Sequence, residues 1–99
     1  DVTLVFKVMG KMFLLTGLDS WENGDQKINL KCDPDKAIEL RESYEDITAG
    51  WHMSKKHWNT VALHTGSVSD GFVEQLINHS YELVIKGLTK KIQQELENL

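Results

Sequence analysis

The chain has 99 residues, of which 40% are hydrophobic and 26% charged, and its formal net charge is −4. A chain of this size and composition folds around one core, so we predict a single domain over residues 1–99. The acidic balance excludes a protein that binds polyanions with its whole surface. Any contact with nucleic acid must therefore be local.

No apolar stretch approaches the roughly 18 residues that a membrane-spanning helix needs, and the first residues lack the basic start of a signal peptide. Cys32 is the single cysteine, which excludes an internal disulfide and a cysteine-rich zinc site. We therefore expect a cytoplasmic protein with no membrane partner. A strand pattern begins directly after Asp1, so we also expect residues upstream of it.

The first third of the chain indicates three antiparallel strands. Apolar residues alternate in each, and Leu4 and Phe6 are expected on the buried face of the first. Gly10 indicates a hairpin between the first two, and a polar segment of residues 19–26 precedes the third. The predicted strands are Val2–Val8, Lys11–Leu18 and Lys27–Cys32.

A helix is predicted to begin at Pro34, because Asp33 before it is a favoured N-cap and proline is tolerated at the first helical position. Its charged residues, including Arg41, are expected to face solvent, and it should end near Asp46. Its apolar stripe consists of Ala37, Leu40 and Tyr44.

The second half of the chain predicts a strand over Thr60–His64 and two further helices. Ser69 is a plausible cap for a helix that begins near Asp70 and ends near Gly87, and Thr89 for a short last helix. The inner stripe of the longer helix is Phe72, Val73, Leu76, Ile77, Ser80, Val84 and Leu88. These elements predict an α+β fold with an antiparallel sheet of at least four strands and helices on one face.

Residues 48–59 lack periodicity and contain most of the sequence WHMSKKHWNT, the one basic and aromatic cluster of the chain. Lysine ammonium groups can neutralise phosphates, and tryptophan rings can stack on unpaired bases. Alternatively, Trp51 and Trp58 anchor a long loop on the sheet, with the lysines as its solvated rim.

A second basic element, Lys86, Lys90 and Lys91, lies at the junction of the last two helices. The free N–H groups at the start of a helix favour anions, although lysines there oppose the helix dipole. The alternative interpretation is a solvated helix corner.

Neither a metal site nor catalysis is indicated. His52 and His57 are five residues apart, whereas zinc needs three or four ligands of defined geometry, so we predict no metal and no cofactor. No nucleophile lies in a strand-turn-helix elbow, and no glycine-rich phosphate loop exists. The nucleophiles considered are Ser54, Ser80 and Cys32. We expect no catalytic residues and a protein that is not an enzyme.

The stretch WHMSKKHWNTV from Trp51 to Val61 resembles the signature of the MmcQ/YjbR family. GKMF from Gly10, LKCDPDKAIELRE from Leu30, HSYELV from His79 and LTKK from Leu88 resemble the family in the same order. The resemblance implies a frataxin-like (CyaY-like) two-layer sandwich, with helices on one face of the sheet and an N-terminal helix that this chain lacks. It also implies a DNA-binding protein.

Carried over by position, the residues available for a polyanion are Lys55, Lys56, His57, Trp58 and Asn59, with Lys11, Lys90 and Lys91 as supports. The alternative hypothesis is a protein-interaction or regulatory domain with a frataxin-like fold and no nucleic-acid partner, which the acidic net charge favours. Metal binding by acidic helix residues, by analogy with frataxin, is a weaker third hypothesis. The sequence does not specify the oligomeric state.

Overall fold

A computed structural model describes residues 2–99. Within them, five strands form one antiparallel sheet in the order β1-β2-β3-β5-β4, accompanied by four helices. The elements are β1 (Thr3–Val8), β2 (Lys11–Gly17), α1 (Leu18–Glu22), β3 (Lys27–Lys31), α2 (Pro34–Ser43), β4 (Ile47–Ala49), β5 (Trp58–Ala62), α3 (Asp70–Lys86) and α4 (Lys90–Glu97). The predicted fold class is confirmed.

The core lies between one face of the sheet and the helices α2 and α3. α3 contacts β2 and β3, while α2 contacts β4 and β5. The stripes predicted for both helices are confirmed, since Leu40 in α2 and Leu76 in α3 are buried in the core with Ile28 and Val61 of the sheet. No helix in the described part of the chain is long and apolar enough to cross a membrane.

Three local predictions differ from the structure. The last strand begins at Trp58 instead of Thr60 and ends at Ala62. β4 was not predicted, because its three residues are too few to show an alternation. The polar segment of residues 19–26 overlaps α1, whose Trp21 Nε1 donates a hydrogen bond to Thr16 Oγ1 of β2 at 2.7 Å.

The inner face of β1 is less covered than the alternating pattern predicts. Val8 is buried, but Leu4 and Phe6 are 44% and 45% exposed. β1 is an edge strand, and α3 lies mainly over β2 and β3, so the helix does not cover it. An apolar groove of about 340 Å³ remains between β1, α1 and α3.

A β-bulge redirects β2 towards α3. The register of β1 and β2 shifts between Phe6 and Lys7, which leaves Phe13 as the extra residue on β2. The Phe13 ring packs edge to face on Tyr81 of α3, with 5.2 Å between ring centroids. The bulge therefore adds a ring to the packing of α3 on the sheet.

Ser80 of α3 joins two strands of the sheet. β2 and β3 pair at Leu14 opposite Leu30, so Phe13 and Lys31 are next in register. Between them the Ser80 hydroxyl donates to the Phe13 carbonyl at 2.6 Å and accepts the Lys31 N–H at 2.9 Å. The side chain is 0% exposed. A buried hydroxyl thus replaces a direct hydrogen bond between the strands, and Ser80 is not available as a nucleophile.

Cys32, the last residue of the third predicted strand, is buried. Burial raises the pKa of its thiol above the ordinary value, and the nearby Lys36 ammonium acts in the opposite direction. The thiol is therefore mainly protonated at neutral pH, which disfavours reaction with electrophiles.

We expect Ser80→Ala to lower the free energy of unfolding by about 1–3 kcal/mol, because a buried N–H and a buried carbonyl would lose their partner. Urea unfolding followed by circular dichroism measures the change. Ser43→Ala at the exposed end of α2 is the matched control, with an expected effect within about 0.5 kcal/mol. A Ser80→Ala protein as stable as the wild type would mean that β2 and β3 close to bond directly.

Candidate nucleic-acid interface

The loop of residues 50–57 between β4 and β5, the lysine loop, is held at both ends by backbone hydrogen bonds. Gly50 N–H donates to the Trp58 carbonyl at 2.9 Å, and Trp58 N–H donates to the Ser54 carbonyl at 3.0 Å. Cys32 N–H, just after β3, donates to the His57 carbonyl at 2.8 Å. The loop is therefore an ordered extension of the sheet.

Gly50 allows the lysine loop to start against β5. A Cβ atom at this position would lie 2.7 Å from Trp58 Cβ and 3.0 Å from the Trp58 carbonyl oxygen. Both distances fall inside van der Waals contact, and the second atom belongs to the backbone, which cannot turn away. The close approach therefore requires glycine.

Trp58 and Asn59 are anchors of the motif, which corrects their assignment as polyanion contacts. They are 8% and 2% exposed. The Asn59 amide is occupied by α2: its Nδ2 donates to the Ala37 carbonyl at 3.3 Å, and its Oδ1 accepts from Arg41 Nη1 at 2.9 Å. The burial of Trp58 agrees with the alternative interpretation, in which its ring holds the loop on the sheet.

Arg41 is a site residue that the sequence analysis missed. Its helical position indicated a solvated side chain, but Nη1 donates to the Lys55 carbonyl at 2.8 Å and to Asn59 Oδ1 at 2.9 Å. The guanidinium therefore fixes the lysine loop to α2 and β5. No local pattern signals this role, because it depends on the loop returning over α2.

The remaining motif residues face solvent. Lys55, Lys56 and His57 are all exposed. Their backbone is fixed by the bonds of Arg41 and Cys32, so the loop presents two ammonium groups and an imidazole from a defined position.

The topology gathers further lysines at the same end of the sheet. The β1-β2 turn, the end of β3 and the start of β5 lie there, and α2 begins and α3 ends there. Every lysine except Lys27 is on these elements or on the first turn of α4, and we call this set the lysine end: Lys7, Lys11, Lys31, Lys36, Lys55, Lys56, Lys86, Lys90 and Lys91. The carboxylates of the same segments are Asp33, Asp35 and Glu82.

A cleft of about 350 Å³ shows that these elements meet. Lys11 and Lys31 line it together with Trp58 and, from the end of α3 onwards, Val84 and Leu88. Lys90 and Lys91 begin α4 two residues after Leu88 and are exposed. The predicted supports Lys11, Lys90 and Lys91 therefore lie at the same end as the lysine loop.

Carboxylates dominate the opposite end of the sheet, where β2 ends and β3 begins. The residues there are Asp19, Glu22, Asp25, Glu45, Asp46, Asp70 and Glu74. Among residues 2–99, no group of three or more His, Cys, Asp and Glu side chains is arranged to hold a metal ion. The lysines are thus concentrated at one end of the sheet, and seven of the fifteen acidic residues at the other.

His79 lies beside the lysine end on α3. Its Nε2 accepts a hydrogen bond from Asp33 N–H at 3.2 Å, which requires that nitrogen to be unprotonated. Burial lowers the pKa of His79 below its ordinary value of 6.5, and the Lys36 ammonium lowers it further. The neutral imidazole therefore connects the start of α2 to α3.

We expect Gly50→Ala to destabilise the protein by about 1–3 kcal/mol, because the added methyl group overlaps the Trp58 backbone. Gly71→Ala is the matched control: a Cβ there meets nothing within 4 Å, and alanine favours the first turn of α3. Thermal unfolding should show a lower Tm for the first variant and an equal or higher Tm for the second. Equal Tm values for both would contradict the close approach.

The lowered pKa of His79 predicts that the free energy of unfolding decreases as pH falls. Its pKa is lower in the folded chain than in the unfolded one, so the unfolded state takes up protons first, and the stabilisation present above pH 6.5 is lost as pH drops through the folded-state pKa. His79→Gln keeps an acceptor for Asp33 N–H and should reduce the difference between urea unfolding at pH 8 and pH 5. His52→Gln in the exposed loop should not. An NMR titration that gave His79 a pKa above 6.5 would contradict this.

Comparison with known proteins places the chain among relatives from several bacteria. It is 40% identical over 93 residues to the uncharacterized protein YbdF of Escherichia coli O157:H7, covering 93% of this chain and 72% of that protein. It is 33% identical over 64 residues to YjbR of Escherichia coli K12, covering 65% and 53%. It is 38% identical over 56 residues to YyaQ of Bacillus subtilis, covering 57% and 46%.

Two solved structures share the fold. The crystal structure of Deinococcus radiodurans protein DR2400, a DUF419 domain, has a TM-score of 0.84 and 39% identity, covering 96% of this chain and 70% of that one. A protein from Pseudomonas syringae has a TM-score of 0.69 and 28% identity, covering 82% and 75%. The family model named YjbR matches residues 1–83. The chain therefore belongs to the YjbR family.

Proposed function

We propose that the protein binds DNA through phosphate contacts made by the lysine end, with Lys55 and Lys56 as the principal contacts. The observation that carries the proposal is the grouping of every lysine except Lys27 at one end of a protein whose net charge is −4. Lysine side chains that neutralise phosphates release condensed counterions, which is the main source of affinity that does not depend on sequence.

The build of the lysine loop supports the proposal. Trp58 and Asn59 hold it from within, Arg41 binds its backbone, and Lys55 and Lys56 remain exposed. An ordered backbone reduces the entropy lost when a loop binds. The exposed imidazole of His57 adds a polar side chain beside the two lysines.

Charge separation explains how an acidic protein can approach DNA. Strands of five to seven residues separate the two ends by roughly 15–25 Å, whereas charges in solution are screened over about 8–10 Å at physiological ionic strength. Carboxylates at the far end therefore repel phosphates at the lysine end only weakly. Lys11, Lys90 and Lys91 extend the positive surface on neighbouring elements and would meet adjacent phosphates.

The similar proteins show only the family to which the chain belongs. The proposed DNA contact is therefore argued from the lysine end alone. We also propose that the protein has a frataxin-like architecture and a cytoplasmic location, both of which the sequence leads us to expect. Phosphate contacts carry no base information, so the binding would be largely independent of sequence.

Fluorescence anisotropy with a labelled duplex at several salt concentrations tests the proposal. Affinity should fall steeply with salt, and Lys55→Ala with Lys56→Ala should reduce the slope of log K against log salt by about 2, if each lysine meets one phosphate. Each single variant should reduce it by about 1.

Lys27→Ala is the control, because Lys27 lies at the acidic end and pairs with Asp25 at 3.3 Å. Its slope should equal that of the wild type. Absence of wild-type binding at low salt, or an unchanged slope in the double variant, would reject the lysine loop as a DNA contact. The protein-interaction hypothesis would then be favoured.

A further inference from the structure

A third cavity, of about 590 Å³, lies on the sheet face opposite α2 and α3. Ile28 and Val61 point into the core, so their neighbours along β3 and β5 point the other way. The floor of this outer cavity is formed by Gly17, Asn29, Thr48, Thr60 and Ala62. Its volume falls within the roughly 300–1,000 Å³ of small-molecule sites.

Trp51 lines the outer cavity with an exposed ring. The residue is 71% exposed, although its backbone is fixed: Trp51 N–H donates to Thr60 Oγ1 at 3.2 Å, and the Thr60 hydroxyl donates to Asn29 Oδ1. The indole also contacts the His52 ring, with 4.1 Å between centroids, and His52 has a φ of 58°. A large aromatic ring left in water on an ordered backbone is a feature of binding surfaces.

The charge of the outer cavity is negative. Asp25 forms an ion pair with Lys27 at 3.3 Å, and its other carboxylate oxygen lies 3.3 Å from His64 Nε2; both partners also line the cavity. The cavity is also lined by Glu45 and Asp46, and within residues 2–99 no cationic side chain lies within 4.0 Å of either carboxylate. Asp46 accepts one hydrogen bond, from the Thr65 hydroxyl at 2.7 Å. Two carboxylates therefore remain to attract a positive ligand.

We propose that the outer cavity binds a small organic cation, an amine with a flat apolar body. The body lies on the methyl groups of the floor and on the Trp51 ring, and the ammonium group faces Glu45 and Asp46. An aromatic body gains from packing on the indole ring, and charged hydrogen bonds to carboxylates are stronger than neutral ones. The carboxylates of this site lie at the acidic end of the sheet, and although Trp51 belongs to the lysine loop, the site uses neither Lys55 nor Lys56.

Three probes with the same ring and different charge test the site: 2-phenylethylammonium, neutral 2-phenylethanol and anionic phenylacetate. ¹⁵N NMR titration of the whole protein should show shifts for the ammonium confined to the cavity lining, with a dissociation constant on the order of millimolar. The alcohol should bind several times more weakly, and phenylacetate should not bind. Equal affinity for the ammonium and phenylacetate, or shifts spread over the surface, would overturn the proposal.

Variants assign the roles of the residues. Trp51→Ala should weaken ammonium binding about three- to tenfold, and Trp51→Phe should recover part of it. Glu45→Gln with Asp46→Asn should remove the preference for the ammonium over the alcohol, whereas Glu39→Gln with Glu42→Gln, the same charge change on α2, should preserve it. Full affinity in the Trp51→Ala or Glu45→Gln/Asp46→Asn proteins would overturn the assignment.

Two further outcomes separate this site from other possibilities. The double variant Lys55→Ala with Lys56→Ala should bind the ammonium probe as tightly as the wild type does. A negative result in the DNA-binding experiment would therefore leave the amine site unaffected. If sedimentation shows that the protein self-associates at low salt, and the amine dissociates the oligomer, the occupant is a second copy of the chain and the small-molecule proposal is wrong.

Discussion

The buried hydroxyl of Ser80 is the contact on which the arrangement of the lysine end depends. It stands between the Phe13 carbonyl and the Lys31 N–H, where a direct hydrogen bond would otherwise close β2 onto β3. Removing the hydroxyl leaves two buried polar groups unpaired, whereas keeping it ties α3 to both strands. The position of α3 relative to the sheet is therefore set by hydrogen bonds as well as by apolar packing.

This contact has consequences further along the same helix face. Val84, one turn after Ser80, and Leu88, just beyond the end of α3, line the cleft with Lys11 and Lys31. The same helix carries His79, which accepts the Asp33 N–H and so positions the start of α2. The elements that bear the lysines are thus fixed to one another through α3, although they are distant in sequence.

The lysine motif combines anchoring and exposed residues within a few positions. Trp58 and Asn59 are buried, and Gly50 allows the chain to pass close to them, while Lys55 and Lys56 face water. A change in an anchor would displace the lysines without removing their charge. Motif residues of both kinds can therefore affect the same function for different physical reasons.

The sequence by itself determined the fold class, the hairpin at Gly10, the three longer helices and the buried stripes of α2 and α3, because each depends on local alternation, helical spacing or capping. It also identified the lysines of the loop. Only the tertiary structure decided which motif residues are exposed, and it assigned Arg41 to the loop, left Leu4 and Phe6 partly uncovered and formed the outer cavity beside Trp51. Those features arise from contacts between segments far apart in the chain, and periodicity along one segment contains no information about its distant partner.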